Sequence, residues 1–111
     1  MPRKYLYTRE QIVEAALALT SEGGPSALTA RALGQRLGTT AKPIFSQFES
    51  MEQVQLAVRQ EAQRLYERRL AEAMTAGKYP PYKASGMAYI RFAKEERELF
   101  KLLFMRDRVS E

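Results

Sequence analysis

Apolar residues recur along this chain at the three- and four-residue spacing of helices, and no stretch keeps the two-residue alternation of a half-buried strand. Glycine and proline interrupt the pattern at Gly23-Gly24-Pro25, Gly38, Pro43, Gly77 and Pro80-Pro81. The pattern therefore predicts an all-α protein in which these residues separate or terminate the helices.

Three helices are predicted before residue 50. The first begins after Thr8, which forms a capping box with Gln11, and ends near Ser21. The second runs from Thr29 to Gly38, and the third is capped by Thr40 and has Pro43 in its first turn, where a missing N–H costs little. The apolar sides of these helices are predicted to carry Ile12, Ala15, Ala16, Leu19, Leu33, Leu37, Ile44, Phe45 and Phe48.

Three further helices are predicted beyond Ser50, which has the capping spacing to Gln53. A long fourth helix covers residues 51–76 and turns Val54, Val58 and Leu65 inward. A fifth covers residues 82–94, and a weakly separated sixth covers residues 96–105. Residues 99–104 are strongly apolar, so we expect an exposed patch there that marks an interface unless another element covers it.

The composition excludes many kinds of chemistry. The 111-residue chain has no Cys and no His, which excludes disulfides, Cys/His zinc sites and the usual nucleophilic dyads. We therefore expect no metal, no cofactor and no enzyme activity. No segment is apolar enough for a membrane span or a signal peptide, so we expect a cytoplasmic protein without a membrane partner.

Charge points to an anionic partner. The net charge is +5, and the stretch from Gly23 to Phe48 contains cations but no carboxylate. Two short helices that meet at a glycine turn also have the spacing of a helix-turn-helix, although the same spacing occurs in ordinary core-building corners. The polar side of this segment suits phosphates and base edges; it comprises Thr29, Arg31, Thr39, Thr40, Lys42, Ser46 and Gln47. Thr29, Thr40 and Ser50 act either as helix caps, as phosphate ligands, or as both.

The segment from Ile12 to Val58 resembles the DNA-binding domain of the TetR family of bacterial regulators. The resemblance lies in Ile12-x-x-Ala15-Ala16, Gly24, Leu28-Thr29-Ala30-Arg31-x-Leu33, Gly38, Ile44-Phe45-x-x-Phe48 and Glu52. It implies a helix-turn-helix domain over residues 1–50. Residues 51–111 would then hold the connecting fourth helix and a truncated or incomplete helical part of a regulatory and dimerisation region.

The resemblance also implies where double-stranded DNA is bound. Thr29 and Arg31 would contact the phosphate backbone, and Lys42 is the leading residue for reading a base. The exposed recognition-helix positions would be Thr40, Ala41, Lys42, Pro43 and Gln47, with Thr39 and Ser46 beside them. Lys4, together with Arg3, would act as an N-terminal arm or else remain solvated. Phe45 and Met51 replace the Tyr and Lys with which the family usually contacts phosphate, so those two contacts are open, and Phe45 is either a DNA-contacting residue or purely a core residue.

The C-terminal residues suggest either an effector pocket or an apolar core. Residues 86–104 are similar to the start of the regulatory domain in one branch of the family, which implies a small apolar effector. The residues that would line its pocket are Met87, Tyr89, Phe92, Phe100 and Phe104.

Two functions remain open from the sequence. The first is a homodimeric repressor that binds a pseudo-palindromic operator and is released by a small-molecule effector. The second is a short helical interaction module that heterodimerises with a longer TetR-like regulator and modulates it.

Overall fold

The computed structural model describes residues 7–105, and all of the regular structure in that range is helical. The helices are α1 (Arg9–Gly23), α2 (Ala30–Leu37), α3 (Lys42–Gln47), α4 (Met51–Thr75), α5 (Pro81–Glu95) and α6 (Arg97–Phe104), with a 3-10 turn at Pro25–Ala27. The predicted all-α fold is confirmed, but the 3-10 turn was not predicted. Within residues 7–105, none of the helices combines the length and the apolar character needed to cross a membrane.

Most predicted helix starts are confirmed by their caps. The Thr8 hydroxyl accepts from the Gln11 N–H at 3.1 Å, and the Gln11 side chain accepts from the Thr8 N–H at 2.9 Å. Thr29 and Ser50 likewise accept a hydrogen bond from the backbone N–H three residues on. These bonds satisfy N–H groups that the first turn of a helix leaves without a partner.

The start of α3 differs from the prediction. Ala41 occupies the cap position, and Thr40 contributes only a 3.3 Å hydrogen bond from the Lys42 N–H to its hydroxyl. A cap at Thr40 would ordinarily bond to either of two N–H groups, but Pro43 removes one of them. The regular helix therefore begins one residue later and is only six residues long.

Two buried clusters hold the helices together. The larger cluster joins α1, α2, α3 and α4 through side chains that include Ile12, Leu33, Ile44 and Val54, which are completely buried. The smaller one comprises Ala62, Phe92 and Leu99 from α4, α5 and α6. Leu17 of α1 packs against both clusters, so α1 connects the N-terminal helices to the C-terminal pair.

Other helices cover most of the apolar stretch at residues 99–104, so the exposed patch expected for an uncovered stretch does not form along most of its length. Leu99 is 1% exposed, and Leu102 and Leu103 are half-buried, because α6 packs against α1, α4 and α5. Glu96 separates α5 from α6 with φ −123° and ψ 62°, so the weak separation predicted here is a true helix break. Exposed apolar side chains also occur on α5, where they include Tyr82, Met87 and Ile90.

Candidate nucleic-acid interface

A close backbone contact sets the angle between α2 and α3. Gly34 is buried in α2, and a Cβ atom on it would lie 2.8 Å from the backbone carbon and oxygen of Thr40. The Thr39 N–H donates to the Gly34 carbonyl at 2.8 Å, and Gly38 adopts the left-handed conformation with φ 80°. Glycine at positions 34 and 38 therefore allows the tight turn that brings α3 against α2.

Tyr7 joins the end of α2 to α3. Its phenol donates to the Leu37 carbonyl, one of the carbonyls at the end of α2 that have no partner within the helix. Its own carbonyl accepts from the Gln47 side-chain amide at 3.3 Å. Gln47 is half-buried. The sequence placed Gln47 beside base edges, whereas this amide already takes part in holding α3 in position.

Lys42, Phe45 and Ser46 form the exposed face of α3. They are neighbours at three- and four-residue spacing, on the side opposite the fully buried Ile44. The Ser46 hydroxyl donates to the Pro43 carbonyl at 2.7 Å. Phe45 is 46% exposed, so of the two roles left open for it the core residue is the one that the structure contradicts. One residue further along a helix lies about 100° around its axis, which carries Phe45 away from the direction of Ile44.

The other candidate DNA-contacting residues surround this face unevenly. Thr29, Arg31 and Thr40 are exposed, whereas Thr39, Ala41 and Pro43 are half-buried. Ala41 packs against the larger core cluster. Lys4 and Arg3 lie outside the described residues. The accessible polar groups are therefore concentrated at the start of α2 and along α3.

One of the three cations between Gly23 and Phe48 forms an ion pair with a carboxylate. Arg36 contacts Glu22 of α1 through two parallel hydrogen bonds of 2.7 and 2.8 Å. The Arg36 hydrogen bond is the main reason that the pKa of Glu22 is lowered, and the same bond raises the pKa of Arg36. Arg31 and Lys42 form no ion pair within residues 7–105, so they are the cations of this segment most available to a phosphate or a base.

The residues suggested for an effector pocket do not all share one location. Phe92 is buried, and Tyr89 packs edge-on against Phe100 and Phe104 at ring separations of 5.0 and 5.3 Å. Met87 is 44% exposed and, two positions from Tyr89, points to another side of α5.

Tyr66 of α4, which the sequence analysis did not select, completes this aromatic cluster. It contacts Phe92 and Phe104 at 5.2 and 5.1 Å. Burial raises the pKa of its phenol, and the neighbouring Tyr89 adds to the effect. The signal for Tyr66 was its position one helical turn after the inward-facing Ala62.

Comparison with known families matches residues 12–58 to the description "Bacterial regulatory proteins, tetR family". Residues 12–58 are a TetR-family DNA-binding domain. The match covers most of α1, the helix-turn-helix of α2 and α3, and the first part of α4, which are the elements that build the interface described above. The protein is accordingly a DNA-binding transcriptional regulator. No curated protein and no solved structure matches the chain.

Proposed function

We propose that this TetR-family regulator is a homodimeric repressor that binds a pseudo-palindromic operator and releases it when a small apolar effector binds. The observation that carries the DNA-reading part is the exposed face of α3, where Lys42 stands without a carboxylate partner among the described residues. A lysine at the start of a recognition helix can donate to guanine N7 and O6 in the major groove.

The proposed DNA contacts are of two kinds, those that anchor the phosphate backbone and those that read bases. Thr29 and Arg31 lie at the start of α2, where free backbone N–H groups and the helix dipole favour a phosphate. Lys42, Phe45 and Ser46 are the side chains of α3 that reach furthest from the core. Thr39, Thr40, Ala41, Pro43 and Gln47 shape and support this surface, and Lys4 would add a phosphate contact from the N-terminal arm.

A salt titration tests the DNA-binding part of the proposal. The affinity for a duplex selected from a randomised pool should fall steeply as salt rises, because phosphate contacts release counterions. The absence of an enriched duplex, or an affinity that does not change with salt, would contradict the proposal.

Two substitutions separate reading from anchoring. Lys42→Ala should reduce the difference in binding free energy between the selected duplex and a scrambled duplex by about 1–3 kcal/mol. Arg31→Ala should weaken binding to both duplexes alike and reduce the salt slope by about one. If both variants bind the selected and scrambled duplexes as the unaltered protein does, α3 is not the reading element.

Release by an effector would act through α6. The aromatic cluster of Tyr66, Tyr89, Phe92, Phe100 and Phe104 lies where α4, α5 and α6 meet, and a ligand that inserts there would displace these rings. Helix α6 also contacts α1, where the Ser21 hydroxyl donates to the Glu96 carboxylate at 2.8 Å. A ligand that prefers the shifted state of α6 would therefore change the position of the DNA-binding domain.

An apolar ligand that releases the operator from the unaltered protein should release it less readily from Tyr66→Ala, which lacks one ring of the cluster.

Self-association would use the exposed apolar side of α5, where Tyr82 is 91% and Ile90 58% exposed. Light scattering should give a dimer mass, and Ile90→Asp should give a monomer that binds the operator more weakly, since only one half-site is engaged. The alternative function, in which the chain pairs with a longer TetR-like regulator, would use the same exposed side of α5. In size-exclusion chromatography, a chain that forms no dimer of its own but co-elutes with such a relative would favour that alternative.

A further inference from the structure

The inference concerns the exposed aromatic side chain on the recognition helix and rests on the proposed DNA-reading function. Phe45 is 46% exposed although α3 is otherwise anchored by the fully buried Ile44 and by Phe48, which is 5% exposed. The fold of the described residues therefore does not account for a phenyl ring at this position.

The surroundings of Phe45 limit what it can contact. The side chain has no donor, so it cannot bind a phosphate or hydrogen-bond to a base edge. Its neighbours on the exposed face are Lys42, one helical turn earlier, and Ser46, whose hydroxyl is engaged by the Pro43 carbonyl. On this face, Lys42 thus offers an ammonium group to a hydrogen-bond acceptor, and Phe45 beside it offers a purely apolar surface.

The apolar substituent that base pairs project into the major groove is the C5-methyl group of thymine. Cytosine, guanine and adenine present polar edges there, against which a phenyl ring would leave donors or acceptors without partners. We propose that Phe45 determines operator specificity by packing against a thymine methyl group, next to the base pair that Lys42 reads. The ring thereby reads a base rather than anchoring the backbone.

Replacing thymine by deoxyuridine tests this directly, because it removes the methyl group and leaves the hydrogen-bonding pattern of the base pair unchanged. The duplex is the one selected from a randomised pool, and each thymine of a half-site is replaced in turn. For the unaltered protein, at least one replacement should weaken binding by about three- to fivefold, the loss expected for one buried methyl group.

Two variants assign that loss to Phe45. Phe45→Ala should bind the thymine duplex more weakly and should no longer distinguish it from the deoxyuridine duplex. Leu56→Ala, which truncates a side chain of similar exposure (48%) on α4, should keep both the affinity and the distinction. Thermal unfolding should be alike for the two variants, since both side chains are largely outside the core.

The outcomes separate this inference from the function on which it rests. Salt-dependent binding to a selected duplex that tolerates every deoxyuridine replacement would overturn the role of Phe45 while leaving the regulator's DNA binding intact. A selected site without thymine, or a Phe45→Ala variant that remains sensitive to the same thymine, would overturn that role as well. Failure to select any duplex would overturn the proposed function and this inference with it.

Discussion

Gly34 shows how a single missing side chain fixes the geometry of the DNA-binding segment. A methyl group at this position would lie 2.8 Å from the Thr40 backbone, which cannot move aside as a flexible side chain would. We expect Gly34→Ala to destabilise the protein by about 1–3 kcal/mol, as overpacking does, and to weaken operator binding because the turn before α3 is displaced. Urea unfolding monitored by circular dichroism measures the first effect.

Gly86 provides the matched control for this substitution. It also lies inside a helix, but a Cβ atom there would meet nothing within 4 Å. Gly86→Ala should therefore leave stability unchanged or raise it by up to about 1 kcal/mol, since alanine is the better helix former. If the two variants had equal stability, the steric explanation for Gly34 would be wrong.

The Glu22 carboxylate gives a residue-level prediction about pH. Its pKa is lowered in the folded protein, mainly by the hydrogen bond from Arg36. The stabilisation from this pair is therefore present above the unfolded-state pKa and is lost as pH falls through the folded-state pKa. Unfolding of the native protein and of Glu22→Gln should differ at pH 7 and converge in acid. A difference that persists at low pH would mean that the substitution acts by another route. Because both side chains are more than a third exposed, added salt should shrink the difference at pH 7.

At the level of the helices, interactions between near neighbours in sequence could be predicted and long-range interactions could not. The caps at Thr8, Thr29 and Ser50 and the stop at Gly38 depend on residues within one turn, so the sequence contains the relevant chemistry. The hydrogen bond between Gln47 and Tyr7 joins residues 40 positions apart, and no local pattern indicates it. For this reason, the sequence predicted that Gln47 faces base edges and did not predict its hydrogen bond to Tyr7.

Tyr7 also carries the prediction that belongs to this level. Removing its hydroxyl in Tyr7→Phe leaves the Leu37 carbonyl without this donor, which should cost about 0.5–1.5 kcal/mol and speed amide exchange at the end of α2. Operator affinity should fall as well, because α3 loses part of its support. Tyr79→Phe is the control, since Tyr79 lies in the loop between α4 and α5 and is 36% exposed. Equal behaviour of the two variants would show that the Tyr7 phenol does not support the helix-turn-helix.

For the whole molecule, the burial of α6 determines whether the chain unfolds as one unit. The apolar residues of α6 were evident in the sequence, but their partners on α1, α4 and α5 depend on the tertiary fold, so the sequence left open whether Leu99 is covered. Leu17 contacts both clusters, and Leu102 of α6 packs against the larger one. Through these contacts, α1 connects the packing of the DNA-binding domain to the packing of the C-terminal helices.

Leu99→Ala tests this continuity. Removing a side chain that is 1% exposed should destabilise the protein by about 2–5 kcal/mol. If the two clusters unfold together, amide exchange should accelerate by the same factor in α1 and α2 as in α5, although Leu99 belongs to the smaller cluster. Leu56→Ala, at a position on α4 that is 48% exposed, should leave exchange in all of these helices nearly unchanged. Acceleration confined to α5 and α6 would instead show that the DNA-binding domain unfolds independently, and a displacement of α6 could then not be transmitted to α3 through α1.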